Sequence, residues 1–233
     1  MDAGSFLTRW WQSVKPLPEE ASWRAPVTAQ KRRQRRLIWR TIGVVALAGA
    51  GWYVYDYIAS APERAKAQLQ AGMQRMQPGA YREAIARFDR AVSIMPQMPE
   101  AYLERGIAHH FLGEIEPALA DLDKALELNP DLAAAYNERG AIYHERDNTQ
   151  KAIEELSKSI KTQATTDGYY QRGQAYESLG QHQKAIEDYD QAVAQMRESP
   201  FVYRARALAK DKLGDTEGAK QDRAKADDIE SIH

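Results

Sequence analysis

The sequence predicts an all-α protein, in which a right-handed solenoid of five helix pairs follows a single transmembrane helix. Two observations lead to this fold class. An apolar run at residues 37–58 carries only two charges, Arg40 and Asp56, and both lie near its ends. From about residue 62 onward, the chain repeats a pattern of small residues every 33 or 34 positions.

The apolar run at residues 37–58 has the length of one membrane crossing. At about 1.5 Å per residue, a helix of this length spans roughly 33 Å, close to the thickness of bilayer hydrocarbon. Trp39 lies near one end, and Trp52 and Tyr55 lie near the other, where aromatic rings often meet the headgroups. A buried helix of a soluble core is one alternative, but a repeat array leaves no place for so apolar an element. A cleaved signal peptide is the other, and the long segment before the run disfavours it.

Basic residues precede the apolar run or lie just inside it. They are Lys31, Arg32, Arg33, Arg35, Arg36 and Arg40. The positive-inside rule therefore predicts a cytoplasmic N-terminus and a repeat domain on the trans side, most simply the periplasmic side of a bacterial inner membrane. The same residues could contact anionic lipid. A nucleic-acid partner is not expected, because residues 62–233 hold 23 Lys and Arg against 29 Asp and Glu.

Residues 1–36 are predicted to form a cytoplasmic tail with a short amphipathic helix. Phe6, Trp10 and Trp11 fall on one helical face before Pro16 ends the pattern. A disordered tail with scattered aromatic residues and a docking peptide for a partner remain alternatives for this segment.

The repeat is visible as a series of small residues at equivalent positions. Gly72, Gly106, Gly140, Gly173 and Ala207 lie 34, 34, 33 and 34 residues apart. Small side chains at such positions let the two helices of a pair approach closely. The spacing predicts five helix pairs, at about residues 65–98, 99–132, 133–165, 166–199 and 200–233.

The second repeat is the most regular one. It contains Tyr102, Gly106, Leu112, Gly113, Ala118, Leu122, Ala125 and Pro130. This pattern resembles the tetratricopeptide-repeat family, whose unit of 34 residues is a helix, a turn and a second helix. The resemblance covers residues 62–233. It departs from the family at Asp147, which replaces a turn glycine, and in the third repeat, which is one residue short and could distort the superhelix.

The resemblance implies that the first helix of each pair lines a concave groove that binds protein. At the corresponding positions this sequence has Leu69, Met73, Met76, Leu103, Glu104, Ile107, His110, Phe111, Asn137, Glu138, His144, Tyr170 and Gln171. The groove would run from apolar to polar and acidic, so a partner with apolar anchors at one end and basic or amide groups further along would fit it. Alternatively, some of these residues could pack against the membrane-proximal helix or another subunit.

No set of residues in the sequence forms a recognisable catalytic site, so an enzyme is not expected. His109, His110 and His144 are the best metal-ligand candidates, but two stacked imidazoles without a third ligand make a poor site. The absence of cysteine excludes thiolate ligands and thiol nucleophiles. Paired carboxylates near Lys or Arg are expected to lie on solvated surfaces. We therefore expect no catalytic residue, metal, cofactor or small-molecule substrate.

Together these patterns predict a membrane-anchored protein-interaction module. Its expected role is a scaffold or assembly factor for a membrane protein complex, with membrane proteins or their extramembrane segments as partners. The alternative is a stable structural subunit of a large membrane complex, held by its transmembrane helix and its N-terminal segment.

Overall fold

The computed structural model describes residue 51 and residues 57–231 of the chain. Residues 61–231 form ten helices that pair in sequence order. These helices are α1 (Ala61–Met73), α2 (Tyr81–Ile94), α3 (Pro99–Phe111), α4 (Ile115–Leu128), α5 (Ala133–Glu145), α6 (Thr149–Thr162), α7 (Thr166–Ser178), α8 (His182–Gln195), α9 (Pro200–Lys212) and α10 (Thr216–Ser231). Each pair stacks on the next, which confirms the all-α repeat solenoid.

The turns inside the pairs depend on residues that accept a left-handed backbone. Gly113, for example, has a φ of +73° between α3 and α4. Asp147 occupies the same position in the third pair and adopts a φ of +57°. Aspartate tolerates this region better than most residues do, because its short side chain can bond locally. The turn that lacks its glycine therefore keeps the same backbone conformation.

The short third repeat ends without a proline, and a different signal starts the next helix. The Thr165 hydroxyl accepts a hydrogen bond from the Gly168 backbone N–H at 3.1 Å and caps α7. A threonine cap satisfies one of the free N–H groups of the first turn. In the second and fifth pairs a proline at the first position, Pro99 or Pro200, begins the helix instead.

The two helices of a pair pack tightly at the repeated glycines. A Cβ atom placed on Gly140 would lie 2.6 Å from Cγ of Leu156, and one on Gly173 would lie 2.5 Å from the Tyr189 ring. Both large side chains are fully buried. Burial of each of these side chains stabilises the fold by about 2 kcal/mol. Such close packing requires a glycine on the opposite helix.

An arginine recurs in the first helix of the last four pairs and links three helices each time. These residues are Arg105, Arg139, Arg172 and Arg206. Each binds an acidic residue on the second helix of its own pair: Asp121, Glu155, Asp188 and Asp222. Three of them also bind an acidic residue on the preceding pair: Asp89, Asp123 and Asp190. We call this set the arginine ladder.

The arginine ladder corrects the expectation that the carboxylates near Lys and Arg lie on solvated surfaces. Asp121, Glu155, Asp188 and Asp222 are buried. Hydrogen bonds to Asp121 raise the pKa of Arg105 above its ordinary value, although burial opposes them. A buried carboxylate requires such a partner, because an unpaired charge in the interior is strongly unfavourable. The ladder is therefore part of the fold.

The predicted localisation, a single-pass membrane protein with the repeats on the trans side, is contradicted by the structure. Within residue 51 and residues 57–231, no helix has both the length and the apolar character needed to cross a membrane. The ten helices have 13 to 16 residues, whereas a crossing needs about 20 apolar ones. Residues 1–50 and 52–56, which include the basic flank, the tail and most of the predicted span, lie outside the described residues.

Candidate functional site

The first helices of neighbouring pairs contact one another from α3 to α9. Their exposed residues therefore form one continuous surface, which we call the groove. The predicted groove residues all lie on α1, α3, α5 and α7, except Met76, which follows α1 directly. The side chains of the groove change along its length from apolar to acidic and polar, and then to apolar again.

The N-terminal part of the groove presents exposed apolar side chains. Phe111 is 60% exposed, and its ring stacks on that of Tyr81 with the centroids 5.0 Å apart. Met73 is 48% exposed at the end of α1. An exposed aromatic ring held in place by a second ring is a typical anchor for a partner side chain.

Four other apolar residues of the predicted set are less accessible. Leu103 is only 7% exposed and belongs to the core between α3, α4 and α5, with Ile107 packed against that core. Leu69 and Met76 are partly buried against Phe88 and its neighbours. These residues support the surface, whereas Phe111 and Met73 form it.

His110 lies between two carboxylates in the middle of the groove. Its Nδ1 is 2.6 Å from Oε1 of Glu138, and its Nε2 is 2.8 Å from Oε2 of Glu145. The hydrogen bond to Glu138, opposed by burial and assisted by Glu145, raises the pKa of His110 to about 9. At neutral pH the ring is therefore a cation that donates from both nitrogens, and it links α3 to α5.

Glu104 adds a further negative charge beside this cluster. Burial and the nearby charge of Glu138 raise the pKa of its carboxyl group above the ordinary value. His110 carries one positive charge and contacts two carboxylates, Glu138 and Glu145, whereas Glu104 lies near Glu138. The middle of the groove is therefore acidic, as the sequence suggested.

A polar network continues the groove from α5 to α7. The Asn137 amide donates to Asp167, and Gln171 Nε2 donates to the same carboxylate at 3.1 Å. The amide oxygens of Asn137 and Gln171 are buried, yet neither accepts a hydrogen bond from any residue that the structure describes. A buried acceptor without a donor is unfavourable, so these two oxygens are a cost of this network.

A cavity of about 240 Å³ opens beside this network. Its lining includes His144, Glu145, Asp167, Tyr170 and Gln171. Two of these residues are anionic, and among the described residues no Lys or Arg lines the cavity. The cavity is large enough for a long side chain and has the charge and the acceptors that suit a cation.

The C-terminal end of the groove is apolar again, which the sequence analysis missed. Phe201 is 50% exposed and meets Tyr170 edge to face, with the ring centroids 5.0 Å apart. Leu208, on the same helix, is 57% exposed. Both occupy groove positions of the fifth repeat, so extending the repeat alignment to that unit would have identified them.

The three histidines considered as metal ligands have other partners. His109 Nδ1 lies 2.7 Å from Glu114, and His144 Nε2 lies 2.8 Å from the Ser178 hydroxyl. Among the residues described by the structure, no three His, Asp or Glu side chains are arranged to hold a metal ion. The histidines therefore act here as hydrogen-bonding groups between helices.

Three family models match this part of the chain. One, described as a TPR repeat, matches residues 109–147, and two, described as tetratricopeptide repeats, match residues 133–166 and 166–195. The chain contains tetratricopeptide repeats. Together these matches span residues 109–195, which comprise the end of α3, α4 and the third and fourth helix pairs, and they include the residues that line the cavity.

Solved structures of repeat proteins resemble this chain. A crystal structure of MamA has 27% identity and a TM-score of 0.60, over 69% of this chain and 95% of that one. TTC0263, a thermophilic tetratricopeptide-repeat protein from Thermus thermophilus, has 25% identity and a TM-score of 0.59, over 70% and 89%. PilF of Pseudomonas aeruginosa has a TM-score of 0.69 over 73% and 78%, but its 18% identity shows the fold alone. No curated protein sequence matches significantly.

Proposed function

We propose that these tetratricopeptide repeats form a scaffold or assembly module that holds a protein partner in the groove. The observation that carries the proposal is the pair formed by Phe111 and Tyr81, an exposed aromatic anchor directly beside the acidic cluster around His110. Binding surfaces commonly combine an aromatic anchor with polar groups that set orientation. The fold supports the proposal, since stacked helix pairs present extended binding surfaces.

A binding role is proposed in preference to a catalytic one. The titratable groups of the groove bind one another: His110 with Glu138 and Glu145, and Asp167 with Asn137 and Gln171. Such groups fix the shape and charge of the surface. The finer role suggested by the sequence, assembly of a membrane protein complex with lipid as a further partner, remains a prediction.

Site-specific photo-crosslinking tests the proposal. A photo-reactive residue replaces Phe111 in the full chain, and a matched variant carries it at Ala120, which is exposed on the second helix α4. We expect discrete protein adducts from position 111 and not from position 120. Equal adducts from both positions, or none from 111, would contradict the groove as the binding surface.

A stable subunit of a large complex is the second candidate function. Exchange distinguishes it from a scaffold: a subunit copurifies with its partner at fixed stoichiometry, whereas a scaffold releases its client. Purification of the crosslinked and uncrosslinked complexes, followed by quantitative mass spectrometry, separates the two.

A further inference from the structure

We propose that the groove recognises an extended peptide in which two aromatic or large apolar residues, about ten positions apart, flank a Lys or Arg side chain. The flanking residues would contact Phe111 and Phe201, and the cation would enter the cavity between α5 and α7. This inference rests on the proposed function, because it names the chemistry of the partner that the groove holds.

The first argument is that two apolar anchors lie at opposite ends of the groove. Phe111 is supported by Tyr81, and Phe201 is supported by Tyr170. Each pair places one well-exposed ring against a more buried one, which restrains the exposed ring before a partner arrives. A restrained aromatic residue loses little conformational entropy on binding, so both sites can act as anchors.

The second argument is the separation of the anchors. Three helix-to-helix steps separate α3 from α9, at about 10 Å each. Phe111 is the last residue of its helix and Phe201 is the second of its helix, which adds about 16 Å along the helix axes. The diagonal is therefore about 34 Å, and an extended chain covers it with about ten residues.

The third argument is the chemistry between the anchors. The cavity of about 240 Å³ lies on this diagonal, with Glu145 and Asp167 in its lining. Lys and Arg supply a positive charge that Glu145 and Asp167 attract, whereas Glu or Asp would be repelled.

Fluorescence anisotropy with labelled peptides tests the proposal on the full chain at physiological salt. The probes are 18-residue peptides of Gly, Ser and Asn with two tryptophans either six or ten positions apart and Lys, Gln or Glu midway between them. We expect the spacing of ten to bind at least tenfold tighter than the spacing of six. Replacing the central Lys with Glu should weaken binding at least tenfold.

Variants of the protein assign these effects to the proposed contacts. Phe111→Ala and Phe201→Ala should each weaken the Lys peptide at least fivefold, and the double change Glu145→Gln with Asp167→Asn should remove the preference for Lys over Gln. Leu213→Ala and Asp228→Asn, at exposed positions outside the groove, are the matched controls and should change nothing. Circular dichroism confirms that each variant keeps its helix content.

Two results would overturn the proposal: equal affinity for the two spacings, or equal affinity for the Lys and Glu peptides. If either occurs while the residue at position 111 still crosslinks a protein, the groove binds a partner of different chemistry and the proposed function stands. If crosslinking at position 111 also fails, the proposed function is wrong as well.

Discussion

Arg105 on α3 binds both carboxylate oxygens of Asp121 on α4, with hydrogen bonds of 2.8 and 2.7 Å. A third hydrogen bond of 2.6 Å joins the same guanidinium to Asp89 on α2. The flat guanidinium can bind two carboxylates at once, whereas the ammonium of lysine is a single point charge. One side chain thus fastens a helix pair and joins it to its predecessor.

Asp121→Asn should destabilise the protein by about 2 kcal/mol, because the change leaves the partly buried Arg105 guanidinium without its main carboxylate partner. Urea denaturation followed by circular dichroism measures the change in the free energy of unfolding. Glu127→Gln is the matched control, since Glu127 is an exposed residue paired with Lys124. The control should change stability by less than about 0.5 kcal/mol, and equal effects would contradict the assigned role of Asp121.

The raised pKa of His110 makes part of the stability dependent on pH. Because the pKa is about 9 in the folded protein and about 6.5 in an unfolded chain, this contribution is complete below about pH 6.5 and disappears as the pH rises through 9. The free energy of unfolding should therefore fall between about pH 6.5 and about pH 9.5. His110→Gln should lose less stability over this range than the wild type.

The control for this pH dependence is His144→Gln, because His144 binds a hydroxyl group instead of a carboxylate. The change at His110 should alter the pH profile of stability more than the change at His144 does. Titration of the ring protons by NMR checks the assignment directly, and a His110 midpoint near the ordinary value of about 6.5 would refute it.

Gly140→Ala should destabilise the third pair by about 2 kcal/mol, because the new methyl group would lie 2.6 Å from Leu156. Gly106→Ala is the graded comparison, since its nearest atom is 3.1 Å away and Leu122 needs to shift less. Alanine normally favours a helix by about 1 kcal/mol over glycine. In thermal denaturation, the Gly140→Ala variant should have a lower melting temperature than the Gly106→Ala variant. If both changes raised the melting temperature, close packing would be excluded as the reason for these glycines.

The double change Met73→Glu and Phe111→Glu should abolish partner capture without reducing the helix content. Both side chains are exposed, so charged replacements remove the apolar anchor and leave the core intact. Capture is measured by photo-crosslinking from Tyr170, another groove residue. Leu213→Glu, at an exposed turn, is the control for a new charge, and undiminished capture by the double variant would show that the N-terminal end of the groove is not needed.

The repeat architecture could be predicted from the sequence because one physical requirement recurs every 33 or 34 residues. A residue as small as Gly106 or Gly140 must face a large side chain of the partner helix, so small residues recur at regular intervals in the sequence. The turn at Asp147 shows that residue type alone does not identify every equivalent position, since the backbone conformation persists there although the residue is not glycine.

The groove was harder to predict than the fold, because exposure depends on neighbours that are distant in sequence. Leu103 and Phe111 both occupy groove positions, but the first is covered by α4 and α5 and the second is open. The buried ion pairs were missed for a similar reason. Arg105 and Asp121 are 16 residues apart, so neither appears as a neighbour of the other until the helices are paired.

The transmembrane prediction relied on the length and apolarity of one run, on the aromatic residues at its ends and on the flanking charge. Those features describe residues 37–58 of the sequence, whereas the described helices are amphipathic and shorter than a membrane is thick. Burial of their apolar faces against one another accounts for the hydrophobic residues of the repeat region.

The arginine ladder differs at one junction. Arg172 reaches back to the hydroxyl group of Ser157 at 3.1 Å, where its counterparts reach a carboxylate. A neutral acceptor holds a guanidinium more weakly than an anion does. The contact that the ladder makes between the third and fourth pairs is therefore weaker than its contacts at the other junctions. The cavity between α5 and α7 lies at this same junction, so a partner that fills it would add contacts between the third and fourth pairs where the arginine ladder holds them with a neutral acceptor.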